Sequence, residues 1–236
     1  FQIDLSGRKV MLDCAHGATY RVAPRIFEEL GATVETIGAA PDGRNINLNC
    51  GALHVEGLRE RVLAGGADFG VAFDGDADRA IFVSRAGKVV DGDAVLYLAA
   101  RALHAEGGLP GRVVVATVMS NLGLEKALEA EGIRLLRTPV GDKYVLEEMV
   151  RVGAALGGEQ SGHVIFRRYA TTGDGLLTAL RVLEIACRAG AGLDELTAGL
   201  PVYPQRLRNV LVREKKPFDT LPSVNEEIRH WEEAFG

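Results

Sequence analysis

The chain has 236 residues, which at about 100–200 residues per domain corresponds to one large or two smaller domains. Hydrophobic residues make up 47% and the net charge is −5, which argues against a nucleic-acid or membrane-surface binder, because such proteins usually carry a basic patch. No apolar stretch approaches the roughly 20 residues of a membrane span, and we expect no signal peptide. The three cysteines show no metal-ligand spacing and are predicted to be reduced thiols, so we expect a cytoplasmic protein.

Strand and helix patterns alternate in the first part of the chain. Short apolar runs predict buried strands, helical spacing predicts helices that end at glycines, and two apolar runs joined around Gly87 predict a hairpin. In chain order the segments are the strand KVMLD, the helix RVAPRIFEELGA, the strand TVETIG, the helix VEGLRERVLAGG, the strand DFGVAFD, the hairpin AIFVS–KVV and the helix DAVLYLAARALHAEGG.

The same order then begins again. Its segments are the strand RVVVATV, the helix SNLGLEKALEAEG with Ser120 or Asn121 as its cap, the strand IRLLRTPV, the helix GDKYVLEEMVRVG, the strand AALGGE, the strand HVIF and a long helix over 173–189 with Asp174 as its cap. We interpret this as two tandem, structurally similar α/β units with mixed, mainly parallel sheets.

Three domains are predicted from these patterns, namely 1–92, 93–206 and an incomplete third domain at 207–236. In the last one, RLRNVLVREKKPFD predicts a strand and PSVNEEIRHWEEAFG a short helix. About 30 residues bury little core, so this piece looks like the start of a domain.

The loop VAFDGDADRAIFV places Asp74, Asp76 and Asp78 at alternating positions after a strand. Alternate carboxylates on a turn converge, and a hard divalent cation would remove their repulsion, so Mg²⁺ is the predicted ligand. An EF-hand would need a glycine at position 6 and an acid at position 12, where this chain has Arg79 and Arg85. A solvated acidic turn remains the alternative. Arg79 beside the aspartates indicates a second anionic group such as phosphate, unless Arg79 pairs with the aspartates themselves.

Two other loops carry candidate binding residues. GGEQSGH offers Glu159, Gln160, Ser161 and His163, a mixture of donors and acceptors that suits sugar hydroxyls, although a polar hairpin turn would also fit. In TPVGDKY, Lys143 opens a helix whose N-terminus could meet a phosphate, or is simply a surface lysine. His16 and His54 are interpreted as structural or supporting residues. Because ligands of such sheets bind beyond the carboxyl ends of strands, we expect both acidic loops to face one cleft.

FDGDADR and GGEQSGH, in this order and separation, resemble the metal-binding and sugar-binding loops of the α-D-phosphohexomutases. DCAHGATYRVAPRIFEELGA, NINLNCGALH, TVMSNLGLEKAL and TTGDGLLTAL resemble the bacterial phosphoglucosamine mutase branch of that family. Members of the family have four domains, and this chain resembles the second, the third and the start of the fourth. The resemblance therefore implies a fragment of the four-domain plan.

The resemblance also implies a reaction, the interconversion of glucosamine 6-phosphate and glucosamine 1-phosphate through a phosphoserine and a 1,6-bisphosphate, for UDP-N-acetylglucosamine and peptidoglycan precursors. It implies Mg²⁺ on the three aspartates, Arg79 on the phosphoryl group, sugar contacts from Glu159 and Ser161, substrate choice at Gln160, and glucosamine or glucose 1,6-bisphosphate as activator. A homodimer of the full-length protein stays open. The family's serine motif, similar to ASHNP, and its phosphate loop, similar to RPSGTEP, do not occur among these residues, so we expect this chain alone to be inactive.

Three alternatives remain. A phosphomannomutase or phosphoglucomutase of the same family would share these motifs. A haloacid-dehalogenase-type phosphatase would use Asp74 as nucleophile and Asp76 as acid–base, but the usual threonine after the second aspartate is missing. A sugar-phosphate-binding chain without activity is the third.

Overall fold

The computed structural model describes residues 1–235, which fold into α-helices and β-strands. The chain separates into two compact units, one over Phe1–Tyr203 and a second that begins at Pro204. Both predicted acidic loops lie in the first unit. The predicted domain limits at 92 and 206 stay predictions.

The first sheet begins with a parallel core and ends with an antiparallel return. Its strand order is β2-β1-β3-β4-β5, with β1 parallel to β2 and β3, and with β4 antiparallel to both β3 and β5. Its strands are β1 (Lys9–Asp13), β2 (Thr33–Ile37), β3 (Phe69–Phe73), β4 (Ala80–Ser84) and β5 (Val89–Val90). The hairpin predicted around Gly87 is thereby confirmed.

The second sheet repeats this plan. Its order is β7-β6-β8-β9, with β6 parallel to β7 and β8, and β9 returning antiparallel to β8. Its strands are β6 (Val113–Thr117), β7 (Arg134–Thr138), β8 (Leu156–Gly158) and β9 (Val164–Phe166). This topology matches the first four strands of the first sheet one by one. The predicted fold class, two similar α/β units with mixed and mainly parallel sheets, is confirmed.

The helices follow from local capping signals. Asp91, Asn121 and Asp174 each accept a backbone N–H from the first turn of the helix that follows. The predicted cap Asp174 is therefore confirmed, and of the two candidates Ser120 and Asn121 the cap is Asn121. The helices are α1 (Val22–Glu29), α2 (Glu56–Gly65), α3 (Gly92–Ala105), α4 (Leu122–Ala130), α5 (Asp142–Val152), α6 (Gly175–Ala189), α7 (Leu193–Leu196) and α8 (Pro222–Phe235).

Helices cover both faces of the two sheets. One large apolar cluster runs through both halves of the first unit and includes Phe73, Leu96 and Leu156. Smaller clusters lie under α2, around Leu58 and neighbouring side chains, and under α5, around Met149. Burial on both faces explains why the central parallel strands are continuous apolar runs rather than alternating ones.

One predicted element is wrong. The stretch RLRNVLVREKKPFD was expected to hold a strand, but no strand forms in this described stretch, and residues 204–217 are exposed throughout. An apolar run becomes a strand only when a neighbour pairs with it, and an isolated pair is marginal even then. The helix predicted after it is present as α8. Among residues 1–235, no helix is long and apolar enough to span a membrane.

Candidate active site

The loop between β3 and β4, residues 74–79, brings the three predicted metal ligands together. One carboxylate oxygen each from Asp74, Asp76 and Asp78 lies within 4.8 Å of the others. The loop can turn this tightly because Ala77 adopts a positive φ of 68°. The three side chains therefore form one acidic cluster at the carboxyl end of β3.

In this cluster three carboxylates face a single guanidinium, so negative charge is in excess. Burial, together with the nearby Asp78 and Asp76 carboxylates, raises the pKa of Asp74 to about 6, while the Arg79 backbone N–H opposes the rise. Asp78 Oδ1 is buried and has no hydrogen-bond partner. A buried oxygen without a donor is costly, and a divalent cation supplies what it lacks. An all-carboxylate set of this kind fits Mg²⁺, which prefers hard oxygen ligands.

Arg79 lies over this cluster with its side chain about one third exposed. Its Nε is 3.5 Å from Asp74 Oδ2 and 3.7 Å from Asp78 Oδ1, and its backbone N–H donates to Asp74 Oδ1 at 3.1 Å. Nε makes no hydrogen bond in this arrangement. The pairing that the sequence left open is thus present at ion-pair distance, while the guanidinium keeps donors for another anion. A phosphate contact of Arg79 stays a prediction.

The second acidic loop, residues 159–163, occupies the equivalent position between β8 and β9. Glu159 Oε1 accepts the Gly141 N–H at the start of α5 at 3.1 Å. Burial raises the pKa of Asp91, while the Ala94 backbone N–H and the side chain of Gln160 oppose the rise. Ser161 is half-buried. The loop therefore presents one carboxylate, one amide and one hydroxyl where the first loop presents three carboxylates.

The two loops meet directly. Arg79 and His163 pair as an isolated antiparallel bridge, and the Ala80 N–H donates to Gly162 O at 3.1 Å. The side chain of His163 reaches across to Asp78, with Nδ1 3.0 Å from Oδ2. The expected proximity of the two loops is therefore present within the first unit.

Lys143 and the two other candidate histidines make contacts of their own or are exposed. Lys143 is exposed, and its Nζ is 3.8 Å from Glu147 on the same helix. His16 Nδ1 accepts the Ala40 N–H, which suits the supporting role expected of it. His54 is exposed. A role of Lys143 in phosphate binding stays a prediction.

Two glycines at helix starts belong to the site, although sequence reasoning missed them. The Gly92 N–H donates to Gln160 O, and a Cβ on Gly92 would lie 1.9 Å from Glu159 O. In the same way, the Gly175 N–H donates to Ala77 O, and a Cβ there would lie 2.3 Å from Arg79 O. The start of α3 thus lies against the second acidic loop, and the start of α6 lies against the first. The signal was present in the sequence, since both glycines directly follow a capping aspartate.

Asp93, in the first turn of α3, is a further buried acid that the sequence did not single out. Its Oδ2 accepts the Asn121 N–H at 2.7 Å. Burial raises the pKa of Asp93 to about 6, although the Asn121 N–H opposes the rise. Asp93 joins the start of α3 to the loop before α4.

Comparison with known proteins gives a consistent result. Residues 2–87 match the model of phosphoglucomutase/phosphomannomutase alpha/beta/alpha domain II, and residues 91–203 match that of domain III. A phosphoglucosamine mutase of Solibacter usitatus is 68% identical over 234 residues, which are 99% of this chain and 52% of that protein. The chain spans about half the length of the curated relatives it matches.

Solved structures agree on the fold. A phosphoglucomutase/phosphomannomutase family protein from Burkholderia thailandensis superposes with a TM-score of 0.74 at 30% identity, covering 85% of this chain and 44% of that one. The N-acetylphosphoglucosamine mutase of Aspergillus fumigatus, crystallised with GlcNAc-6P and magnesium, gives a TM-score of 0.69 at 20% identity, covering 90% of this chain and 53% of that one. At that identity the likeness shows the shared fold alone.

Proposed function

This chain belongs to the phosphoglucomutase/phosphomannomutase family, and from that membership we propose that it supplies the metal and sugar loops of a phosphoglucosamine mutase. The proposed reaction interconverts glucosamine 6-phosphate and glucosamine 1-phosphate through a phosphoserine and a 1,6-bisphosphate. It would serve cytoplasmic amino-sugar metabolism that leads to UDP-N-acetylglucosamine and peptidoglycan precursors. A hexose 1,6-bisphosphate would act as activator.

The observation that carries the proposal is the junction of the two acidic loops. Three converging carboxylates, one with an unpartnered buried oxygen, lie directly beside a loop with one carboxylate, one amide and one hydroxyl. Phosphoryl transfer to a sugar needs both features close together, because catalysis depends on positioning and on cationic stabilisation of the transferred group. A solvated acidic turn would not explain why Asp78 Oδ1 is buried without a donor.

Each residue has a role in this proposal. Asp74, Asp76 and Asp78 would hold Mg²⁺, which when bound supplies Lewis-acid stabilisation of charge on the phosphoryl oxygens. Arg79 would donate to the same phosphoryl group, which is consistent with the partial exposure of its side chain.

The second loop would hold the sugar. Glu159 and Ser161 would bind hydroxyls in either orientation of the sugar, as a two-way phosphate exchange requires. Gln160 would contribute to substrate choice. Lys143, at the exposed start of α5, would meet the distant phosphate of the substrate.

The phosphoserine must come from outside these residues. None of the five serines lies in a context similar to ASHNP. We therefore propose that this chain binds metal and sugar phosphate but does not turn over by itself, and that a polypeptide containing these residues together with a phosphoserine-bearing segment does.

Phosphorus NMR tests the proposal. The longer polypeptide, given glucosamine 6-phosphate, Mg²⁺ and a trace of hexose 1,6-bisphosphate, should produce a glucosamine 1-phosphate signal, and Asp76→Asn should abolish it. The 236-residue chain should leave the substrate signal unchanged. Inorganic phosphate released by the chain alone would favour a phosphatase, and a faster reaction with mannose or glucose phosphates would reassign the substrate within the family.

A further inference from the structure

His163 lies in the second acidic loop, but its ring is engaged with the first. The side chain is buried, with 4% of its surface exposed. The Gly173 N–H donates to Nε2 at 3.0 Å, and Nδ1 lies 3.0 Å from Asp78 Oδ2. Because Nε2 accepts a hydrogen bond, it carries no proton in this arrangement, and the ring proton of the neutral imidazole must be on Nδ1. Nδ1–H therefore donates to the Asp78 carboxylate.

Backbone on several sides fixes the orientation of this ring. A Cβ on Gly173 would lie 2.5 Å from the imidazole, so the segment before α6 packs closely against the ring. On the other side, His163 is held by its bridge to Arg79 and by the bond from Ala80 N–H to Gly162 O. Both ring nitrogens already have protein partners. A direct contact of the ring with a sugar hydroxyl, as the sequence suggested, would require one of these two bonds to break.

The bond from His163 distinguishes the two oxygens of Asp78. Oδ2 accepts the Nδ1–H, which fixes the rotation of the carboxylate about its last torsion. Oδ1 is left buried and without a hydrogen-bond partner. Oδ1 has only the long ion pair with Arg79 Nε at 3.7 Å, so it is the oxygen that can bind a cation without giving up a hydrogen bond. A metal ligand held by a second residue in this way is preorganised, and loss of such an outer partner typically weakens metal affinity by about 10–100-fold.

We propose that His163 is a positioning residue that orients Asp78 toward the cation and couples the metal loop to the sugar loop. The inference rests on the metal site of the proposed function. It gives a role to a side chain that belongs by sequence to the sugar loop. The affinity of the first loop for metal then depends on a residue supplied by the second loop.

Two substitutions test the roles of the two ring nitrogens of His163 one at a time. His163→Asn retains an amide donor near the position of Nδ1, so it can still donate to Asp78. His163→Gln extends to the position of Nε2, where its carbonyl can accept from Gly173, but it offers no donor to Asp78. His54→Gln is the matched control, because His54 is exposed and lies outside the junction.

Mn²⁺ affinity, measured by isothermal titration and confirmed by electron paramagnetic resonance, is the readout. We expect His163→Gln to weaken Mn²⁺ binding about 10–100-fold, with His163→Asn within a few-fold of the unaltered chain and His54→Gln unchanged. Equal affinity of His163→Gln and the unaltered chain would overturn the inference and leave the proposed function standing. No Mn²⁺ binding by the unaltered chain would overturn the metal site itself, and with it both proposals.

A second measurement needs no substitution and is therefore independent of whether the variants fold. Nitrogen-15 NMR of the unaltered, metal-free chain above neutral pH reports which ring nitrogen of His163 is protonated. A protonated Nδ1 with an accepting Nε2 is the expected result. A protonated Nε2 would remove the donor to Asp78 and would overturn the inference whatever the metal affinities.

Discussion

The two acidic loops have the same position in two copies of one fold and different chemistry. Each loop follows the third strand of its half and leads into an antiparallel return strand. Arg79 and His163, the residues directly before β4 and β9, are equivalent in this scheme, and they pair with each other. The first loop brings three carboxylates together, while the second has a single carboxylate, Glu159, one oxygen of which accepts a backbone N–H. The backbone plan thus sets where a site lies, and the loop side chains decide what it binds.

Each acidic loop also contacts the start of a long helix. α3 starts against the second loop through Gly92, and α6 starts against the first loop through Gly175. Because α6 follows β9, its start joins the second half to the loop of the first half. One continuous apolar cluster extends through both halves.

The largest expected effect comes from filling these two contacts. Gly92→Ala and Gly175→Ala would each place a methyl group well inside the contact distance of a backbone oxygen, 1.9 Å and 2.3 Å away. Because backbone cannot move aside as a flexible side chain can, we expect losses of about 3 kcal/mol or more in the free energy of unfolding. Urea denaturation measures this loss.

Gly57→Ala is the control, since no atom lies within 4 Å of a Cβ at this helical position. It should be neutral or stabilise by up to about 1 kcal/mol. If Gly92→Ala and Gly175→Ala unfolded at the same urea concentration as this control, the contacts between these helix starts and the acidic loops would not be structural.

The next effect concerns the two buried acids, Asp74 and Asp93, whose pKa values are both raised to about 6, mainly by burial. The folded chain holds the Asp93 proton more tightly than the unfolded chain, whose pKa is near the ordinary 3.8. The contribution of Asp93 to the free energy of unfolding should therefore fall by about 3 kcal/mol as pH rises from about 4 to about 6, and it should stay low above that range.

Asp93→Asn should remove this fall, because the amide oxygen can still accept the Asn121 N–H while no charge is buried. The measurement is the difference in unfolding free energy between Asp93→Asn and the unaltered chain across this pH range. A constant difference would show that Asp93 does not titrate as described.

A smaller effect concerns how much one carboxylate of each loop contributes to the stability of the fold. Glu159→Ala leaves the Gly141 N–H without its acceptor, so we expect a loss of about 1–2 kcal/mol. Asp76 is exposed within an unpaired acidic cluster, so Asp76→Ala without metal should change stability by less than about 0.5 kcal/mol. Thermal unfolding in the presence of a chelator compares the two. Equal losses of stability in the two variants would show that Glu159 contributes no more to the fold than Asp76 does.

Much of this organisation could be predicted from the sequence. The repeated order of strands and helices, the caps Asp174 and Asn121, and the hairpin around Gly87 are local patterns, and local patterns survive in the fold. The strand expected in RLRNVLVREKKPFD failed because a strand needs a partner that the local pattern does not specify.

The contacts between distant segments were also beyond local patterns. Gly92 and Gly175 matter because of residues far away in the sequence, and the tautomer of His163 is set by Gly173 and Asp78, which approach it from different segments. The sequence correctly suggested three converging carboxylates, since these lie within one short loop.

The division of labour between the loops is tested most directly by titrating Mn²⁺ and glucosamine 6-phosphate into the chain and into Asp76→Asn and Glu159→Gln. Asp76→Asn should weaken Mn²⁺ binding at least about tenfold, because one charged ligand is lost, while Glu159→Gln should leave Mn²⁺ affinity unchanged and weaken only the sugar phosphate. If Glu159→Gln weakened Mn²⁺ as strongly as Asp76→Asn, or if Asp76→Asn had no effect, the assignment of metal to the first loop and sugar to the second would be contradicted.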